Sequence, residues 1–178
     1  MRAPIIILLL LLFLSGIGQD NEGSSNLICW KKNEKLEWAD FQGIPDSSTN
    51  DKAICAPELI AQGYWESNLP NFRVTNCFNK DIAWSKDTVS NELLEHEQLH
   101  FDIAEVHARR IRKAVDSLRE KSIDEINCYT IVIQKLLNCH DKMHDLYDEE
   151  TYHSTIHSEQ KRWESKIKAD LEKLEKFH

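Results

Sequence analysis

The sequence predicts an α+β fold, a small antiparallel β unit followed by three helices. Two observations carry this. Short stretches in the first half alternate apolar and polar residues between turn-forming clusters, as half-buried strands do. From residue 91 to 119 the chain then has no glycine or proline, and its apolar residues recur at helical spacing.

Within the β unit, residues 36–41 (Leu-Glu-Trp-Ala-Asp-Phe) read as a strand, and residues 43–51 read as a loop rich in turn formers. Residues 54–65 look extended but interrupted by Pro57 and Gly63. Residues 72–78 place Phe72, Val74, Asn76 and Phe78 on one face, and residues 82–85 suggest another brief strand. Ser90 is placed to cap the first helix, over residues 91–119, whose apolar positions are Leu93, Leu99, Ile103, Val106, Ile111, Ala114 and Leu118. A second helix is expected over residues 122–147 and a third over residues 155–176, with residues 148–154 as a polar break.

The N-terminus carries an address. Arg2 precedes an unbroken apolar run over residues 5–14, and small residues follow at Ser15, Gly16 and Gly18, the three-part pattern of a secretory signal peptide. The run is shorter than the about 20 residues of a membrane span, so no stable span is expected after cleavage at Gly18. The reading is a signal peptide over residues 1–18, a flexible lead-in over 19–28 and a single domain over 29–178, exported to the periplasm or beyond. A net charge of −8 disfavours nucleic acid and anionic lipid as partners. The five cysteines are an odd number, without C-x-x-C spacing. They predict structural disulfides of undetermined pairing and at least one thiol left over.

The chemistry concentrates in His96-Glu97-Gln98-Leu99-His100. Four residues apart on a helix, both imidazoles project from one face, close enough to reach one zinc ion at about 2.0–2.1 Å each. Glu97 points about 100° around the helix, towards a zinc-activated water rather than the metal. This is the H-E-x-x-H arrangement of two ligands and a general base, on a zincin-like metal helix. A third protein ligand is required. His107 is unsuited, being about 10 Å further along the same helix. The break after the second helix supplies the candidates: His153 is preferred, and Glu150 and Asp148 are rivals. A second pair, His140 and His144, has the same spacing, extended by Asp148. Asp141 rather than glutamate follows its first histidine, and exposed histidines on an amphipathic helix are the simpler account. Asp102 or Glu105 could accept the free N–H of a ligand histidine, although Glu105 with Arg109 is also an ordinary i,i+4 ion pair. Trp38, Trp65, Trp84 and Trp163 read as core or groove lining. Tyr147, Tyr152 and His157 are possible oxyanion stabilisers among which spacing does not choose.

Residues 94–105 (Leu-Glu-His-Glu-Gln-Leu-His-Phe-Asp-Ile-Ala-Glu) resemble the signature of a bacterial family of unassigned biochemistry, whose members are described as secreted zinc-dependent proteases. Residues 36–43 are similar to its Trp-x-Asp-Phe-x-Gly element. Tyr147-Asp148, Thr151, His153, Gln160 and Trp163 resemble its later pattern. The resemblance implies His96 and His100 as ligands, Glu97 as catalytic base and His153 as a functional position. Where the family pattern leads one to expect glycine after that histidine, Ser154 stands here. The expected activity is zinc-dependent hydrolysis of protein or peptide substrates. The alternative is an exported, non-catalytic metal-binding or scaffolding protein of the cell envelope.

Overall fold

A computed structural model describes residues 8–10 and 26–178. The remaining residues of the expected signal peptide and most of the lead-in lie outside the described residues.

The architecture is α+β. In chain order the strands are β1 (Leu8–Leu10), β2 (Leu27–Cys29), β3 (Ala53–Ile54), β4 (Pro57–Glu66), β5 (Leu69–Asn79) and β6 (Trp84–Ser85). The helices are α1 (Asn91–Glu120), α2 (Ile126–Thr151) and α3 (His157–Lys173). One sheet has the order β1-β4-β5-β2, and β3 with β6 forms a separate antiparallel pair. Leu27 and Ile28, counted in the lead-in from sequence, already belong to β2. The β2–β5 and β4–β5 pairs are antiparallel, whereas β1 runs parallel to β4.

The centre of the sheet is the β4–β5 hairpin. Its loop is Ser67-Asn68, with φ of 52° and 63°. Positive φ at both loop residues matches the type I′ geometry whose twist suits a two-residue hairpin. Pro57 and Gly63 do not interrupt β4, because it lies against a full-length partner from Pro57↔Phe78 to Glu66↔Leu69. Phe72, Val74, Asn76 and Phe78 are all buried, as the period of two predicts. A disulfide joins the cross-strand neighbours Cys29 and Cys77 and closes a separation of 48 residues. Chain-entropy arguments make such a cross-link worth about 4 kcal/mol.

Residues 36–41 correct the strand expected there. Trp38–Asp40 is a 3-10 turn closed by reciprocal bonds between Glu37 and Asp40. Phe41 packs at 5.0 Å from both Trp38 and Phe78, so the alternating pattern serves a tight turn over the sheet's end. Gly43 follows because nothing larger fits. A Cβ there would stand 2.8 Å from the carbonyl oxygens of Asp81 and Ile82.

Helix α1 begins where Ser90 Oγ accepts the Leu93 N–H at 3.2 Å. It is the axis of the molecule, since every residue from His96 to Arg109 is buried. Ala104, Ala108, Ile111 and Val115 face Leu59, Ala61, Phe72 and Val74 of the sheet and Tyr129, Ile133 and Leu137 of α2. The two alanines let sheet and helix approach closely. Leu99, Ile103 and Val106 pack instead against Tyr147, Trp163 and Ile167 of α2 and α3. With partners on several sides the helix is not the one-faced amphipath its apolar spacing suggests. Its buried Arg109 is paired, donating to Glu105 at 2.9 Å and to the Leu171 carbonyl at 2.9 Å.

Candidate metal centre

The polar break expected over residues 148–154 starts later than its composition suggests, and the difference builds the site. Helix α2 continues through Asp148 to Thr151, whose hydroxyl donates to the Tyr147 carbonyl at 2.7 Å. It ends only at Tyr152, His153 and Ser154, with φ of 46°, 50° and 72°. Asp148 is therefore a helical residue, one turn beyond His144 and two beyond His140, on the side of α2 that faces α1.

That geometry brings His96, His100 and Asp148 together, with their ligand atoms all within 4.8 Å of one another. His96 Nε2 lies 3.3 Å from Asp148 Oδ1, and His100 Nε2 lies 2.9 Å from it. Donors on one tetrahedral zinc ion at bonds of about 2.0–2.1 Å would be about 3.3 Å apart. His153, the ligand preferred from sequence, is not in this group. Its Nδ1 is 3.8 Å from Asp148 Oδ1, and its side chain is 63 % exposed at the mouth of the site. Glu150 is engaged elsewhere: it accepts hydrogen bonds from Arg162 and from Trp163 Nε1. Of the three residues weighed for the third position, Asp148 is the one held against both histidines.

The donor chemistry fits a cation. His96 Nδ1 stands 3.3 Å from Gln160 Oε1, an oxygen that also accepts the Tyr147 hydroxyl at 2.6 Å. The Gln160 amide nitrogen is turned away, donating to Glu164 at 3.2 Å. Oxygen atoms thus face both nitrogens of His96, but a neutral imidazole has only one N–H to give. With that hydrogen on Nδ1, Nε2 presents a lone pair beside the Asp148 carboxylate, an arrangement completed by a metal ion. Tyr147 stacks on His96 at 4.6 Å between ring centroids and holds the ring's plane. Burial pushes the Tyr147 phenol up, so it remains a hydrogen-bond donor. It is thereby committed to Gln160, while Tyr152, another oxyanion candidate, is exposed.

Glu97 is buried beside the cluster. Burial pushes its carboxyl up, against the opposing charges of His100 and His96 and a hydrogen bond from the Cys55 backbone N–H. Burial would also raise Asp148, but the closeness of His100, and then of His96, outweighs it and holds that carboxyl low. The group opens into a cleft of about 680 Å³, lined by β3 residues Ala53 and Ile54, by Cys55, and by Asp141, Asp145 and Tyr152 across from them.

The remaining candidates fall elsewhere. Asp102 accepts from Trp30 Nε1 at 2.7 Å, Gln98 Nε2 at 2.9 Å and Lys35 Nζ at 3.2 Å, with no bond to a ligand histidine. Glu105 pairs with Arg109 and Arg112. His107, excluded by its distance along the helix, is buried beside the Leu136 carbonyl. His140 and His144 are buried, which corrects the exposed pair expected from sequence. The ring of His144 lies nearly parallel to that of His100, at 8°. Gln160 was missed as a supporting residue, its only signal being its place in the family pattern.

Fold and site together define an α+β protein with a candidate divalent-metal centre between its first two helices. The chain belongs to the family of bacterial proteins of unknown function DUF922, which matches residues 66–154, a span holding His96, Glu97, His100, Asp148 and His153. No curated protein and no solved structure matches it.

Proposed function

We propose that this protein is an exported zinc-dependent peptidase, with His96, His100 and Asp148 as metal ligands and Glu97 as general base. The observation that carries this reading is the convergence of His96 Nε2 and His100 Nε2 on Asp148 Oδ1 at the floor of an open cleft, with Glu97 beside them. Three protein ligands and one open position are what a catalytic zinc requires. When bound, the ion would supply Lewis acidity, polarising a carbonyl and easing deprotonation of water.

The chain's own residues divide the rest. Glu97 Oε takes the proton of the attacking water and returns it to the leaving amine. A storage site would have no use for a carboxylate in this position. Gln160 and Tyr147 keep His96 oriented, and burial of the cluster keeps bulk water from competing. His153 and Tyr152, at the mouth, are placed to meet the substrate. A cleft of about 680 Å³ with both polar and apolar lining suits a peptide substrate.

Export is part of the reading. A Cys29–Cys77 disulfide suits an oxidising compartment. Among the described residues no helix is long and apolar enough to cross a membrane. Cleavage after Gly18 would remove β1 and leave the antiparallel β4–β5–β2 sheet.

The test is peptide hydrolysis by purified mature protein loaded with zinc, beside Glu97→Gln. Cleavage lost in Glu97→Gln with the metal retained supports the peptidase. Metal binding without cleavage of any peptide in a broad library would favour the non-catalytic metal-binding alternative.

A further inference from the structure

A line of hydrogen bonds leads from the candidate centre through α2. His100 Nδ1 is 2.6 Å from His144 Nδ1, His144 Nε2 is 2.9 Å from His140 Nε2, and His140 Nδ1 is 3.0 Å from Asp141 Oδ1. His140 and His144 are buried, whereas the Asp141 side chain is 43 % exposed. The spacing of α2 produces this. His140 and His144 stand one turn apart on the face towards α1, and Asp141 reaches back from the neighbouring position.

The chain has a direction. Where the Asp141 carboxylate accepts from His140 Nδ1–H, His140 Nε2 is left bare. The bare Nε2 accepts from His144 Nε2–H, and His144 Nδ1 is then bare in turn. It accepts from His100 Nδ1–H, and His100 is left with a lone pair on Nε2, the atom facing Asp148. Three neutral imidazoles thus fill the three gaps from His100 to Asp141, and the fourth, from His100 Nε2 to Asp148 Oδ1 at 2.9 Å, is the one a cation would fill. In the opposite direction His100 Nε2–H donates to Asp148 and His140 Nδ1 is left bare against Asp141, so a cation held by His100 Nε2 and Asp148 is what selects the first direction.

We propose that His144, His140 and Asp141 are positioning residues that fix His100 in the Nδ1–H tautomer and so present its Nε2 to the metal. This rests on the ligand set proposed above. It gives His100 the support that Gln160 gives His96, by a different device. The His140–His144 pair, which shares the ligand pair's spacing, is then part of the same centre. His107 is no part of the chain: it lies edge-on to His140 at 5.6 Å between centroids, with Nδ1 turned to the Leu136 carbonyl.

Two measurements test this. The first is the nitrogen-15 NMR signature of His100 in the zinc-loaded protein, read in wild type, His144→Phe and Asp141→Leu. The expected result is a His100 Nδ1–H held by a hydrogen bond to His144 in wild type, with that bond lost in His144→Phe and weakened in Asp141→Leu. The second is zinc affinity by chelator competition in the same proteins, with thermal melting as a control for folding. His144→Phe is expected to bind zinc 10–100-fold more weakly. His144→Asn, whose side-chain oxygen can accept from His100, is expected to recover part of that loss. A wild-type His100 with its hydrogen on Nε2, or unchanged zinc affinity in both His144→Phe and Asp141→Leu, would overturn the proposal. A wild type that binds no zinc would overturn the ligand set and this proposal with it, whereas zinc bound with unchanged affinity in the variants would overturn this proposal alone.

Discussion

Gln160 Oε1 lies 3.3 Å from His96 Nδ1, although the two residues are 64 apart in sequence and on different helices. That contact, reinforced by the Tyr147 hydroxyl, settles which nitrogen of His96 faces the cluster. Gln160→Leu removes the acceptor while keeping the volume, and is expected to weaken zinc binding 10–100-fold. Tyr147→Phe leaves the acceptor in place and is expected to cost less. Chelator competition on the two variants reads the order directly.

Acid sensitivity is expected from His107. Burial first, then the charges of His140 and Arg110, lower its pKa from 6.5 to about 3, and Lys166 adds to this from α3. The Leu136 carbonyl opposes the shift, while Asp170 partly offsets Arg110 at 3.2 Å. Between those values the unfolded chain binds a proton that the folded protein refuses. Stability is therefore complete above about pH 6.5 and falls as the pH drops towards 3, by up to about 1.4 kcal/mol per pH unit. Urea denaturation at a series of pH values should show a shallower decline in His107→Gln. An identical slope in that variant would assign the acid sensitivity to other groups.

Two backbone positions make opposite predictions. At Gly43 an added Cβ would meet three carbonyl oxygens at 2.8–2.9 Å, so Gly43→Ala should destabilise by about 1–3 kcal/mol. Ser154 has φ of 72°, where a side chain is strained, so Ser154→Gly should stabilise by about 0.5–1 kcal/mol. Thermal melts of both variants check the signs.

Much of this was legible in the sequence. Ser90 announced the start of α1, and its run without glycine or proline announced the length. The period of two in residues 72–78 picked out the buried face of β5. His96 and His100 were readable because helical spacing alone puts them side by side. The third member of the cluster was harder. Composition made residues 148–154 look like one loop, yet nothing in Asp148-Glu149-Glu150 prevents a helix, and packing of Tyr147 and Thr151 extends α2 through them. Once the helix runs on, Asp148 follows His140 and His144 at intervals of four, and that second pair lies beside the ligand pair. Burial of that pair comes from the crossing of α2 on α1, a long-range arrangement that local pattern does not carry. The 3-10 turn at Trp38–Asp40 was misread for a related reason: alternation of apolar and polar residues also suits a turn pressed against a sheet end.

The central claim is the ligand set His96, His100 and Asp148. Elemental analysis of metal on purified wild type, Asp148→Ala and His153→Ala tests it most directly. About one zinc per chain is expected in wild type and in His153→Ala, with none retained in Asp148→Ala. Metal kept in Asp148→Ala but lost in His153→Ala would contradict the account and return the third position to His153, and a wild type that takes up no metal after reconstitution would remove the centre altogether.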